Sequence, residues 1–172
     1  ISISQSELQG HVDLLLAERE KQDTSQLQLE TGAELNRSQL RFLIITSVFD
    51  EIAKELKLTV SKTDQATLRQ KLLEQIGGES ALPQSLVSAQ IAPSNFARYI
   101  RAIIITEKIS KALQDSGITP EAVDARISEL VNAKAKELKI TVNPRYGTWD
   151  YDAGDILATD SAGDAVTSVP AK

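Results

Sequence analysis

Residues 135–149 read Ala-Lys-Glu-Leu-Lys-Ile-Thr-Val-Asn-Pro-Arg-Tyr-Gly-Thr-Trp, and this stretch decides how the chain is organised. It combines a helix end, a short β-prone segment and a turn that holds the sole tryptophan. Residues 53–60 read almost identically, differing only in Leu58 against Ile140. Each copy places lysines at a helix C-terminus, where the helix dipole favours cations. We therefore predict two matching helix exits, each leading into a strand with an inward valine. Chance use of a common exit pattern is the alternative.

The rest of the chain is predicted to form further helices. In the second of them, apolar residues recur at intervals of three and four, namely Ile45, Val48, Phe49, Ile52 and Leu56. This is the spacing of a helix with a buried face. The predicted helices start at Ser4, run from about Asn36 to Lys57, follow Ser61, cover about 79–89, run from Pro93 to about Ser116, and start at Thr119. The fold class is therefore all-α, with five or six helices and at most a short two-stranded sheet.

Capping residues mark where several of these helices begin and end. Ser4 and Ser61 each stand three residues before an acidic residue, which is the spacing of a capping box. The glycines at 77–78 end the third helix, as a left-handed C-cap does. The polar residues 17–34 loosen the helical pattern and Gly32 interrupts it. We expect a frayed helix end and a loop there.

The helix predicted from Pro93 carries two apolar faces. One face consists of Phe96, Ile100, Ile103 and Ile104, and the adjoining face consists of Ile105, Ile109 and Leu113. A helix that is apolar on more than one side is touched by more than one neighbour. We expect this helix to join two parts of the core.

Composition and charge limit the classes of function. The chain has 172 residues, 41% of them hydrophobic, which fits one domain with a real core. Residues 150–172 hold five Asp and one Lys, a charge of −4 out of the total of −5. We predict a helical domain over 1–149 and a disordered acidic tail over 150–172. The folded part has no basic excess, which argues against nucleic acid as a partner.

The termini and the missing residue types bear on location. No apolar run approaches the roughly 18 residues of a membrane span, and no signal peptide is visible. The chain contains no Met, so we expect that it was processed or trimmed and that a targeting segment preceded Ile1. The chain also contains no Cys. This excludes disulfides and thiolate metal sites and leaves the redox compartment open.

No catalytic or cofactor motif is present. The only histidine, His11, flanks the apolar stripe of the first helix, and a lone histidine without cysteine does not make a zinc site. Nucleophile-elbow, P-loop and dinucleotide-binding motifs are absent. Asp150, Asp152 and Asp155 could in principle bind calcium, but their spacing is not that of an EF-hand. We predict no catalytic residue, no metal and no cofactor.

The helix predicted from Pro93 also carries several basic residues. Arg98, Arg101, Lys108 and Lys111 recur along the helix that starts near Pro93, although Glu107 interrupts them. A solvated face is the favoured interpretation.

Three segments resemble the N-terminal helical domain of SurA-like chaperones. They are the helix exit at 53–61, the opening Ile-Ser-Ile-Ser-Gln-Ser-Glu-Leu at 1–8, and the closing Val-Asn-Pro-Arg-Tyr-Gly-Thr-Trp-Asp at 142–150. The closing segment resembles the end of such domains in actinobacterial lipoproteins and is the most specific of the three. The resemblance covers about residues 1–150.

The resemblance implies a mostly α fold in which an N-terminal strand pairs with residues 140–142. Because the chain starts just before the first helix, Ile1–Ile3 or residues further upstream would supply that strand. The resemblance also implies binding of unfolded or nascent secreted polypeptides outside the cytoplasm, with a membrane tether upstream of Ile1. Isomerase activity is not expected, because about 22 residues after Asp150 are too few for a parvulin domain.

Binding of unfolded chains needs exposed apolar surface and not a catalytic centre. The candidate peptide-binding residues are the aromatics Phe42, Tyr99, Tyr146 and Trp149. For Tyr146 and Trp149, packing of the turn onto the last helix is the favoured alternative. The predicted function is a non-enzymatic, extracytoplasmic chaperone-like module. A helical adaptor for one folded partner and a small-ligand-binding protein remain as alternatives.

Overall fold

The computed structural model describes residues 2–158, and these form six α-helices and one small antiparallel sheet. The helices are α1 (Gln5–Arg19), α2 (Gly32–Glu55), α3 (Lys62–Ile76), α4 (Leu82–Ser88), α5 (Phe96–Asp115) and α6 (Pro120–Glu137). The strands are β1 (Thr148–Asp150) and β2 (Asp155–Leu157). Single 3₁₀ turns over Glu79–Ala81 and Pro93–Asn95 precede α4 and α5. The predicted fold class is confirmed.

Local capping signals set most helix boundaries. The Ser4 hydroxyl accepts a hydrogen bond from the Glu7 backbone N–H at 3.0 Å and starts α1. Ser61 and Asp64 form both bonds of a capping box at 3.0 Å and start α3. Gly77 ends α3 with φ 94°. These predicted boundaries are confirmed because they depend on residues within one turn of the chain.

The two similar segments make matching helix exits but no strands. Leu58 N donates to the carbonyl of Ala53 at 2.8 Å, and Ile140 N donates to the carbonyl of Ala135 at 3.4 Å. Both alanines are buried. The residues that follow each exit run on without pairing to a strand. The predicted strand at 140–142 is therefore wrong, because these residues pair with no strand among residues 2–158.

The sheet lies further along the chain than predicted. Strands β1 and β2 form a hairpin in which Trp149 stands opposite Ile156, and both side chains are buried in the main core. Asp150 Oδ1 accepts the backbone N–H groups of Asp152 and Ala153 at 2.8 and 3.1 Å and so stabilises the turn. The folded part thus extends to Leu157. The remainder of the predicted tail, 159–172, lies outside the described residues.

Helix α2 is the centre of the core and packs against α1, α5 and α6. Its buried residues are Leu35, Gln39, Leu40, Leu43, Ile44, Thr46, Val48, Ile52 and Ala53. Helix α5 has two buried faces, as predicted. Its Ile105 and Ile109 enter the main cluster, whereas Ile100 and Ile104 pack against Leu68 of α3 in a second cluster.

The interpretation of residues 17–34 needs correction at both ends. Helix α1 continues to Arg19, and α2 begins at Gly32, which was predicted to interrupt the helical pattern. The loop between the two helices is anchored by Arg19. Its Nη1 donates to the Glu30 carbonyl at 2.7 Å, and its Nη2 donates to Gln90 Oε1 at 2.9 Å. No local sequence pattern predicts these bonds, because the acceptors of the Arg19 side chain lie in distant segments of the chain.

Candidate binding site

The outward face of α2 is apolar and only partly covered. Phe42, Ile45 and Phe49 stand one turn apart on this face, and all three are half-buried. Between α2 and α5 lies a cavity of about 500 Å³, whose other wall includes Tyr99 and Ile103. The lining of this cavity is mostly apolar, so it suits an apolar side chain or a small apolar molecule.

A second cavity of about 200 Å³ adjoins the first on the α6 side. The two cavities share Arg41, Ile45 and Phe49. The far wall of the second is formed by α6 and by the hairpin turn, with Ile127, Ser128, Val131, Asn132, Asp152, Ala153 and Gly154. We call the two cavities together the α2 trough. Its floor is Phe42, Ile45 and Phe49, and its walls come from α5 on one side and α6 on the other.

Ion pairs and hydrogen bonds hold the α5 wall in place. Arg101 Nε lies 2.6 Å from Asp50 Oδ1, and Arg98 Nη1 donates to Ser47 Oγ at 3.2 Å. Both arginines therefore bridge to α2. The interpretation of the basic residues of α5 as a merely solvated face is thus incomplete, because these side chains also fix the spacing of the helices.

Lys108 makes a similar bridge from α5 to α3. Its Nζ lies 2.9 Å from Asp64 Oδ2 and 2.8 Å from the Thr59 carbonyl. The ammonium of Lys108, together with the Ser61 backbone N–H, holds the pKa of Asp64 below its usual value. The carboxylate that caps α3 is thereby kept charged and bound to α5.

The end of the trough nearest the start of α2 is polar. Gln39 Nε2 donates to the Gln90 carbonyl at 2.8 Å, and the Glu30 N–H donates to Gln90 Oε1 at 2.9 Å. Glu30, Gln39 and Gln90 all line the larger cavity. Glu30 Oε2 is buried and has no hydrogen-bond donor among the described residues. A group that could donate a hydrogen bond would therefore find an acceptor here.

Two of the four predicted peptide-binding residues meet in the trough. Phe42 of α2 and Tyr99 of α5 line the same cavity although 57 residues separate them. Tyr146 lies elsewhere, in a cavity of about 190 Å³ lined also by Ile3 and Ile140. Its ring packs under the Arg145 guanidinium, with 4.4 Å between Cζ and the ring centroid.

Trp149 does not line a surface. It is 5% exposed and belongs to the main core, so a docked peptide does not reach it unless the hairpin moves. Trp149 is therefore packed in the core, as the favoured alternative from the sequence expected. The assignment of Trp149 to peptide binding is corrected. Residues 45 and 49 were recognised only as part of an apolar helix stripe. The helical spacing of that stripe does not distinguish residues that a neighbouring helix covers from residues that stay uncovered.

His11 links α1 to the turn before α5. Its Nδ1 lies 2.8 Å from Ser94 Oγ. Burial lowers the pKa of His11, the nearby Glu7 carboxylate opposes this shift and Arg98 adds to it. The contact joins two elements at the protein surface, in line with the solvent-edge role expected from the sequence.

The aspartates of the hairpin are engaged by the protein itself. Asp150 accepts backbone N–H groups, Asp152 lies 3.1 Å from Lys136 Nζ, and Asp155 lies 3.4 Å from Arg41 Nε. Within residues 2–158, no group of three or more acidic or histidine side chains could hold a metal ion. The calcium alternative thus has no geometric support in this part of the chain.

Comparison with family models, with curated proteins and with solved structures returned no significant match. The resemblance to SurA-like domains therefore depends on the three quoted sequence segments. Within the described part of the chain, no helix is both long and apolar enough to cross a membrane.

Proposed function

We propose that this protein binds apolar segments of unfolded or partly folded polypeptides in the α2 trough, as a chaperone-like module without catalysis. The observation that carries the proposal is the apolar floor of Phe42, Ile45 and Phe49, left open between two helical walls. An unfolded chain exposes the apolar side chains that such a surface can cover. Phe42 and Tyr99, both named from the sequence, belong to this surface.

The expected affinity is modest. Full burial of one large apolar side chain contributes about 1.5–3 kcal/mol, and the trough has room for two or three. Ordering a flexible peptide offsets a large part of that gain. We therefore expect dissociation constants of roughly 10 μM to 1 mM. Weak binding of this kind suits transient shielding of many different segments, and no single residue should dominate.

The resemblance to SurA-like domains supports the same proposal and adds a location. We propose that the protein acts outside the cytoplasm, on secreted polypeptides, and is held at the membrane by a segment upstream of Ile1. Cell fractionation of the native protein, with and without treatment that releases lipoproteins, tests this location. Recovery in the cytoplasmic fraction would overturn the location but leave the binding site unaffected.

A small-ligand-binding function is the second candidate. The larger cavity, about 500 Å³, falls within the size range of small-molecule sites. The cavity continues across Ile45 and Phe49 into the second one, and this favours an elongated occupant over a compact one. An adaptor for one folded partner is a third possibility, and it would use the same exposed surface.

Aggregation suppression tests the proposal. A denatured client protein is diluted into buffer with increasing amounts of this protein, and light scattering is followed. We expect dose-dependent suppression beyond that of an inert protein. Two trough variants should reduce this suppression. Tyr99→Gln removes an aromatic side chain from the wall of the cavity, and Ala102→Glu places a carboxylate in the cavity. Neither residue belongs to the two buried core clusters.

The matched control is Leu14→Gln. Leu14 lies on α1, is 50% exposed and does not line the trough, so its loss should leave suppression unchanged. No suppression by the unaltered protein would refute the general chaperone function. Binding of one folded protein, combined with indifference to denatured clients, would favour the adaptor.

A further inference from the structure

Two carboxylates line the larger cavity of the trough. Glu30 contributes from the loop before α2, and Glu107 contributes from α5. Neither side chain forms an ion pair within the part of the chain that the structure describes. Glu30 Oε2 is moreover buried without a donor. Burial of a carboxylate oxygen without a donor is unfavourable, so a ligand that supplies one gains free energy.

The cations near this cavity are already engaged. Arg41 also lines it, but its Nε donates to the Gly154 carbonyl at 3.0 Å and lies 3.4 Å from Asp155 Oδ1. Arg19 is close enough to Glu30 to interact with its charge, yet its Nη atoms donate to the Glu30 carbonyl and to Gln90. An incoming cation therefore gains mainly a hydrogen bond at Glu30 and a charge pair at Glu107.

The two carboxylates lie towards opposite ends of the cavity. Glu30 is held beside Gln90, which also binds Gln39 near the start of the α2 floor. Helices α2 and α5 run in the same direction, because Arg98 contacts Ser47 and Arg101 contacts Asp50. Glu107 lies six residues beyond Arg101 on α5, at the other end of the floor.

The length of the floor fixes the length of the segment. Ten residues of helix separate Gln39 from Phe49, and at 1.5 Å per residue this is about 15 Å. An extended peptide rises about 3.3 Å per residue. Roughly five residues of an extended peptide therefore cover the floor, and the acidic side chains lie at or beyond its two ends.

We infer that the trough selects polypeptide segments with an apolar centre of about three to five residues and a lysine or arginine at each end. The apolar centre lies on the α2 floor, and the basic ends reach Glu30 and Glu107. This inference rests on the proposed function, because it assumes that the trough binds polypeptide. The charge of the trough then decides which apolar segments are preferred, and acidic flanks are disfavoured by repulsion.

The test uses three dye-labelled peptides with one apolar core and lysine, glutamine or glutamate at both ends. Binding to the full chain is followed by fluorescence anisotropy. The lysine-flanked peptide should bind about three- to tenfold more tightly than the glutamine-flanked one, and the glutamate-flanked peptide should bind most weakly. The preference should shrink at about 0.5 M salt, because exposed charges are then screened.

Two variants connect the preference with the named carboxylates. Glu30→Gln and Glu107→Gln keep the side-chain size and should each reduce the ratio of lysine to glutamine binding. The control is Glu74→Gln, because Glu74 is exposed on α3 outside the trough. Equal binding of all three peptides would overturn this inference and leave the proposed function intact. No binding of any peptide would overturn the proposed function itself.

Discussion

Gly147 lies directly against the backbone of Leu157, with no room for a side chain between them. A Cβ atom at residue 147 would collide with the Leu157 carbonyl group, and the glycine also has φ 126°, where L-residues are strained. The turn before β1 is thereby packed onto the end of β2.

Gly147→Ala should destabilise the protein by about 2–4 kcal/mol, because it adds a backbone clash to an unfavourable φ. The matched control is Gly117→Ala. Gly117 has a comparable φ of 93° but open space around its Cα, so its replacement should cost about 1 kcal/mol. Chemical denaturation measures both. Equal losses for the two variants would contradict the close contact between residues 147 and 157.

Lys57 and Lys139 lie two residues beyond the ends of α2 and α6 and share a left-handed conformation, with φ 52° and 48°. Glycine adopts this conformation without the steric penalty of a Cβ atom. Lys57→Gly and Lys139→Gly should therefore each stabilise the protein by about 0.5–1 kcal/mol. The measurement is the free energy of unfolding in urea. Lys57→Ala serves as control and should give no gain, since alanine keeps the Cβ atom.

Folding stability should fall as the pH drops below the ordinary pKa of histidine. Burial lowers the pKa of His11 in the folded protein, so between the folded and unfolded pKa values the unfolded chain binds more protons. Its contribution to stability is complete above about pH 6.5 and is lost below that value. Because His11 is only half-buried, solvent screens much of the effect and we expect only about a few tenths of a kcal/mol.

Urea denaturation between about pH 7.5 and 5.5 measures this effect. The carboxylates begin to titrate in the same pH range. The pH dependence of stability is therefore compared with that of His11→Gln, which keeps the carboxylates and lacks the imidazole. The stability of this variant should depend less on pH than that of the unaltered protein. Identical pH dependence of the two proteins would refute a contribution from His11.

Trp149 should emit at short wavelength and resist quenching by iodide, because it is 5% exposed in the main core. Red-shifted and easily quenched emission would contradict its packing. Trp149→Ala should cost about 3–5 kcal/mol. Trp149→Phe should cost far less, because it keeps much of the apolar contact and removes the Nε1 group, which lacks a hydrogen-bond partner within residues 2–158.

Several features of the fold follow from short stretches of sequence. The caps at Ser4, Ser61 and Gly77, the matching exits after Ala53 and Ala135, and the two apolar faces of α5 were all predicted and are present. Each depends on residues within a few turns of one another. Backbone sterics, capping bonds and helical periodicity act over that range, so local sequence is sufficient to specify them.

The binding site was predicted only in part. Phe42 and Tyr99 were named as separate aromatics, but their meeting in one cavity depends on how α2 and α5 pack. Trp149, by contrast, proved to be buried. Whether an apolar side chain lies in the core or on the surface is decided by the elements that pack over it, and composition does not reveal this.

The sequence by itself determined the all-α class, most helix boundaries and the lack of basic excess, because these depend on local chemistry and on residue counts. Only the tertiary structure decided the α2 trough, the β1–β2 hairpin and the bonds of Arg19 to Glu30 and Gln90. These features join segments that are far apart in the chain. Their geometry follows from the packing of whole helices, which brings together residues that no local pattern connects.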